Sequence, residues 1–388
     1  MRLFFAQAQL GLLTGFLHLY AVLSLSLIWM LFSWDLYTRG RDSESFRFWL
    51  RVFALTAYSA MGLGLMTLVQ NGLVLPLAVD RMGNVLGPLL LGVVLIAFAV
   101  RSTTFGVMLY SRHRVTPIVF RVSLFVTALG LTAIVLGMSV LESWMRAPSG
   151  AALLDGQFRI FDWFDVTDNA QLPLQLVVVG LTAGIMLSSA LASGWLLQAL
   201  TEGDTGKPAS ATRLLVWAGL LCTMGVLPLS EHILAGSTRS LSDIIEFLAG
   251  NTQTAAHQFV MLQVARALLV LWSLHVVILM VTLWHMYRCR EPLQSGRLGR
   301  IGLLGSVSGP LLCLSIWWLL NLVKGPDMVV GQLLFADLIN PVQTQYLFLG
   351  FVLTCVLITI VVYGWTRLTY QALASGVVTV HRPKALLS

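Results

Sequence analysis

Residues 117–141 read PIVFRVSLFVTALGLTAIVLGMSVL, a run broken by one charge, Arg121. At 1.5 Å per residue a helix of this length covers about 37 Å. That exceeds the roughly 30 Å of hydrocarbon in a bilayer. A membrane-spanning strand would be shorter and would alternate polar with apolar positions, which this run does not do. The stretch therefore reads as a transmembrane helix. Working outward, eight further runs have the same character, at 8–34, 52–75, 85–110, 172–199, 212–235, 257–287, 300–323 and 343–372. The sequence predicts an all-α polytopic membrane protein with nine transmembrane helices, built as a single membrane domain over 1–388.

The composition agrees. The chain is 57% hydrophobic and 11% charged, whereas an ordinary soluble domain carries about 25% charged residues. So few charges could not solvate a water-facing surface, and a soluble globular protein is excluded. The net charge of +7 is explained by cationic loops that fix topology, not by nucleic acid. Of the 24 Lys and Arg residues, fifteen fall on one side and six on the other. By the positive-inside rule the N-terminus is outside and the C-terminus cytoplasmic. The longest outer loop, 142–171, is acidic and carries Trp144, Phe158, Phe161, Trp163 and Phe164. It is expected to lie along the interface with its rings at headgroup depth. The four cysteines are scattered with no CxxC pair, so neither a disulfide framework nor a metal site is expected. The first apolar run is too long for a secretory signal.

Ionisable residues at membrane depth are functional candidates by default. All 17 carboxylates fall in loops or at helix ends, so no intramembrane carboxylate relay is expected. Three arginines intrude. Arg121 is one turn from the cytoplasmic end and can snorkel. Arg101 is about nine residues from the end of its span, and Arg266 lies about 14 Å into the seventh; both are candidates for an interface or a buried polar partner. His18, His232, His257 and His275 are candidates for haem ligation, weighed against the blander role of a polar side chain held by a neighbouring helix. Ser188, Ser189, Ser193, Gly194, Gly62 and Gly64 mark places where backbones can approach closely.

Several short segments fall in one order along the chain: Arg2-Leu3-Phe4-Phe5-Ala6; Phe48-Trp49 before Gly62-Leu63-Gly64-Leu65-Met66; Arg101-Ser102-Thr103 before Gly106; Trp144-Met145 and Pro148; Ala170-Gln171; Trp317, Gly325-Pro326 and Gly331-Gln332-Leu333-Leu334. In that order and with that topology the chain resembles subunit I of the cytochrome bd quinol oxidases. The resemblance implies a quinol-oxidising, oxygen-reducing complex with haems near the outer face. The ligands, carried over one at a time, do not survive. The first-helix histidine falls on Leu13, with His18 five residues later. The fifth-span histidine falls on Leu176 and the seventh-span methionine on Leu268. The third-span glutamate at the active-site haem falls on Gly92 or Val93, and the second third-span glutamate becomes Arg101. Leucine has no lone pair for iron, and arginine cannot shuttle protons at neutral pH. The family's long quinol loop is cut here to about twenty residues, roughly 236–256.

The resemblance thus implies a membrane subunit of a bd-type quinol:oxygen oxidoreductase complex in the cytoplasmic (inner) membrane of a prokaryote. Its preferred form is a haem-free structural partner of an active, haem-bearing subunit I, with no catalytic residue of its own. No cofactor is then expected on this chain alone. Haem b and haem d belong to the partner, and quinol is a candidate ligand of the complex. Membrane lipids and small single-span accessory subunits complete the expected partners, with no nucleic acid. A second reading is a divergent haem-binding quinol oxidase or electron-transfer subunit, with ligands relocated to His18, His232, His257 or His275. A third, an unrelated transporter, ranks last because neither repeat halves nor a midplane carboxylate is visible.

Overall fold

The computed structural model describes residues 2–38, 44–110, 114–202, 210–230, 252–288, 296–323, 327–339 and 342–376. Helix α1 (Arg2–Thr38) is followed by α2 (Glu44–Val74) and α3 (Pro76–Val100). A π-turn at Arg101–Phe105 leads into α4 (Gly106–Tyr110) and then α5 (Pro117–Arg146). The hairpin β1 (Ala151–Leu154) and β2 (Gln157–Ile160) and the short α6 (Trp163–Thr167) lead to α7 (Leu172–Glu202) and α8 (Ser210–Met224). Then come α9 (Thr252–Arg288), α10 (Gly296–Val323), β3 (Asp327–Val329), β4 (Leu333–Leu334), α11 (Phe335–Leu338) and α12 (Thr344–Gly376). Among the described residues nine helical segments are long and apolar enough to cross a membrane, as expected.

Local chemistry sets the ends of these helices. Helix α5 begins where the Thr116 side chain accepts the Val119 N–H and Pro117 takes the first helical position; there a missing N–H does no harm. Helix α1 lies at the centre of the bundle and packs on α2, α5, α7, α10 and α12. The main apolar core runs from Leu23, Leu27 and Leu31 of α1 to Val178 and Ile185 of α7 and Leu312 and Leu319 of α10.

One end of the bundle carries a cap over 142–171. Its first residues continue α5 to Arg146, and the rest holds a hairpin and α6. The hairpin turns at Asp155 and Gly156, whose φ values of 52° and 80° match the paired positive φ of a tight two-residue turn. Gly150, at φ 68°, could carry no side chain, because an added Cβ would overlap the Asp162 carbonyl. Trp144 and Phe158 are fully buried and meet edge to face at 5.2 Å. Only Phe161, Trp163 and Phe164 of the five aromatics are exposed. Two rings were thus drawn inward because the hairpin needs a core of its own. The second connection joins this cap through Val329, Leu333, Phe335 and Leu338 and a Val330 N–H bond to the Met145 carbonyl at 3.0 Å. Of the segment 236–256, residues up to 251 lie outside the described residues, and Thr252 already opens α9.

Candidate functional site

Two polar constellations occupy the interior. The first lies toward the capped end. His18 of α1 reaches Thr182 of α7, with Nε2 3.3 Å from Oγ1. The Thr182 hydroxyl donates to the Val178 carbonyl at 2.8 Å, so the imidazole N–H points at Thr182. The ring stacks on Trp317 of α10, with centroids 4.6 Å apart and planes 21° from parallel. Two turns along α7 from Thr182, Gln175 bridges two charges of α5. It accepts from Arg146 Nη1 at 2.5 Å and donates to Glu142 at 2.6 Å. Arg146 Nε and Nη2 and Trp317 Nε1 are buried without a hydrogen-bond partner among the described residues.

The second constellation is His275 of α9, fully buried between two serines. Ser189 of α7 donates to the Ile185 carbonyl at 2.7 Å and lies 3.4 Å from His275 Nε2. Ser308 of α10 lies 2.9 Å from Nδ1. The network assigns the proton to Nε2, and Nδ1 accepts from Ser308. Both ring nitrogens are therefore engaged across three helices.

The positions to which the resemblance assigns haem ligands are apolar and scattered. Leu13 is buried with Tyr20, Leu63 and Ile358. Leu268 is buried in the main core. Leu176 is 38% exposed and points away from the interior. Gly92 and Val93 are half-buried, and Val93 Cγ2 presses on Gly137 of α5, 2.9 Å from where a Cβ would sit. His232 lies outside the described residues, as does the side chain of His257. Among the described residues no group of three His, Cys, Asp or Glu side chains could hold a metal ion.

Helix spacing bears on the same question. A Cβ added at Gly219 of α8 would overlap Ser188 of α7, and one at Gly309 of α10 would overlap Ser189. At Gly184 it would come 2.5 Å from Cys222 Sγ, and at Gly305 3.2 Å from Ile278 and 3.4 Å from Ser193. Trp272 of α9 also donates to the Thr223 carbonyl of α8 at 2.7 Å. The small residues of α7 thus let α7, α8 and α10 approach closely, with side chains of α9 filling the space beside them. Axial ligation needs a donor atom aimed at iron. At Leu13, Leu176 and Leu268, the positions that the resemblance assigns to haem ligands, the side chains do not fit an axially held haem. Gly194 packs on Trp49 at 3.2 Å, Gly64 meets Leu17 at 3.7 Å, and Gly62 meets nothing within 4 Å.

The intramembrane arginines part company. Arg121 does not simply snorkel: its Nε bonds Asp35 of α1 at 2.9 Å, with the carboxylate side chain 4% exposed. The apolar surroundings of Asp35 in sequence hid this partner. Arg101 is exposed in the π-turn, its guanidinium 5.9 Å from the Tyr58 ring centroid. Arg266 is exposed on α9, fourteen residues after the helix begins at Thr252. Sequence reasoning missed Arg146 and Gln175 and took Trp317 only as part of a family-like segment. The one available signal was Glu142 and Arg146 a turn apart at the end of a span.

A family model described as cytochrome bd terminal oxidase subunit I matches residues 5–239, more than half of the chain. No curated protein matches the sequence. Among solved structures, the chain is similar to one described as the structure of bd oxidase from Geobacillus thermodenitrificans. The TM-score is 0.69 at 16% identity, covering 95% of this chain and 98% of that one. At that identity the likeness is one of fold.

Proposed function

The chain belongs to the cytochrome bd terminal oxidase subunit I family, and from that premise we propose that it is the haem-free structural partner of a haem-bearing subunit I. It is a multi-pass membrane subunit of a bd-type oxidase. In the proposed complex, quinol oxidation and oxygen reduction take place on the partner, which holds haem b and haem d. This chain covers the partner's lipid-facing surface and limits access of oxygen and protons to it. Its membrane is the cytoplasmic membrane of a prokaryote, with the N-terminus outside. A duplicated subunit inherits a surface already shaped for pseudo-two-fold pairing.

One observation carries the reading. At the positions that the resemblance assigns to haem ligands this chain has Leu13, Leu176 and Leu268, whose side chains offer iron no donor atom. His275 supports it from another direction, since its nitrogens are taken up by serines. The test is expression of the tagged chain alone and together with the other oxidase subunit genes of its host, followed by reduced-minus-oxidised spectra. The chain alone should show no Soret band, and haem should travel with the partner. A haem b band in the chain purified alone would falsify the reading. If His18→Ala or His275→Ala then abolished that band, ligation would lie at the changed histidine.

A further inference from the structure

At the end of the bundle away from the cap, the chain turns from α7 into α8 and again from α9 into α10. Most of its Lys and Arg residues fall at this end. Here α8 and α9 pack on each other, and three side chains near their ends form a cluster on the outer rim. The Arg213 guanidinium lies over the Tyr287 ring, 5.3 Å from its centroid. The Trp217 indole N–H donates to the Tyr287 hydroxyl at 3.2 Å. Arg213 stands in the first turn of α8, and Tyr287 one residue before the end of α9. Both rings are exposed, at the depth where Trp and Tyr collect in membrane proteins.

The cluster offers donors and lacks an acceptor. The Tyr287 oxygen accepts from Trp217, which leaves its own O–H to donate elsewhere. Among the described residues no carboxylate pairs with Arg213. The Tyr287 ring orients the cation without neutralising it. The first turn of α8 holds no acidic side chain, so Arg213 adds its charge to the positive end of the helix instead of offsetting it. A guanidinium beside a free hydroxyl proton suits a phosphate group. Toward the membrane centre two apolar stripes run on from the cluster, through Ala218 and Leu221 of α8 and Trp284 and Met280 of α9, all exposed. The small Ala218 side chain leaves room for an acyl chain beside Trp217. Arg266 is also exposed on α9, but it stands twenty-one residues before Tyr287, about 32 Å along the helix, and takes no part in the cluster.

We infer that the rim of α8 and α9 binds one anionic phospholipid, with its phosphate at Arg213 and Tyr287 and an acyl chain along Ala218, Leu221, Trp284 and Met280. Lipid wets every outward-facing span, so apolar surface alone selects nothing. The selection comes from charge: a basic rim between helices attracts acidic headgroups over zwitterionic ones. The site is built from α8 and α9 alone and does not depend on which subunit accompanies the chain.

The experiment uses the full chain, with whatever subunits co-purify, reconstituted into lipid vesicles. The vesicles carry a trace of phosphatidylglycerol with a photo-reactive diazirine in its acyl chain, or of phosphatidylcholine with the same group. Labelled peptides are mapped by mass spectrometry, and the exposed face of α3 serves as the internal reference. The phosphatidylglycerol probe should label the α8–α9 stripes about fivefold more than the reference, and the phosphatidylcholine probe should label both alike. Arg213→Gln should remove that preference. Tyr287→Phe keeps the ring, deletes the hydroxyl and should lower the preference about threefold. Arg213→Lys should retain most of it. Ala218→Trp fills the acyl strip without touching charge and should lower labelling of α8. Unchanged thermal unfolding of each variant separates lost binding from lost fold. Equal labelling of the wild-type rim by the two probes overturns the inference and leaves ordinary boundary lipid. A preference that survives both Arg213→Gln and Tyr287→Phe overturns it as well. Loss of rim labelling on adding excess inorganic phosphate also overturns it and makes the cluster a site for the free anion.

Discussion

In the quartet of α7, α8, α9 and α10, Gly184, Gly219 and Gly309 receive the side chains of Cys222, Ser188 and Ser189. Across the molecule, on α2, α3 and α4, Gly62, Gly87 and Gly106 are exposed and receive nothing within 4 Å. Helices in a bilayer are not driven together by hydrophobicity, because lipid tails are as apolar as they are. Close packing and polar pairing decide which helices associate. The quartet has spent most of its small residues on itself, with Gly180 left exposed. The α2–α3–α12 side has left Gly62, Gly87 and Gly106 exposed beside Arg101. The arginines follow the same division, with Arg121 paired inside and Arg101 facing out.

The contrast can be broken most forcefully at Gly219. Gly219→Leu drives a branched side chain into Ser188 and should destabilise the purified chain by about 3 kcal/mol or more, as overpacking does in a close-packed interior. Thermal unfolding in detergent measures it; an unchanged midpoint would mean that α7 and α8 are not in contact. Next comes the pair of arginines. Arg121→Ala strands the buried Asp35 carboxylate and should cost about 3 kcal/mol, whereas Arg101→Ala should leave the isolated chain within about 0.5 kcal/mol. Equal losses would erase the distinction between an inward and an outward cation.

A smaller effect is expected at His275. His275→Ala leaves the hydroxyls of Ser189 and Ser308 without their shared partner in the core, for about 2 kcal/mol. The visible spectrum of the complex should not move, since a structural histidine holds helices and not iron. Smallest of all, Gly62→Leu should alter the stability of the isolated chain by no more than about 0.5 kcal/mol. A large loss in the isolated chain would place Gly62 in an internal contact instead.

Much of the architecture was legible in the sequence. The nine apolar runs found their helices because a span's length and hydropathy are local properties, and Pro117 behind Thr116 announced the start of α5. Ser188, Ser189 and Ser193 were legible as contact points, and all three meet glycines of neighbouring helices. Gly62 read the same way and meets none, because composition says that a backbone can be approached and not by what. The internal packing of the cap was not legible for a related reason. An aromatic, acidic loop looks interfacial, but Trp144 and Phe158 bury each other once Asp155 and Gly156 fold the chain back. Asp35 and Arg121, eighty-six residues apart, offered no local sign of pairing.

The sequence by itself determined that this is a nine-span membrane protein of the bd subunit I kind. Those are matters of residue identity and of apolar length, which survive any arrangement of the helices. Tertiary structure alone decided that His275 is held by two serines, that Arg121 has a carboxylate and Arg101 none among the described residues, and that one face is shut while another is open. Such outcomes depend on which side of each helix meets which neighbour. In a bilayer, where every lipid-exposed face looks alike to hydropathy, only the packed geometry carries that information.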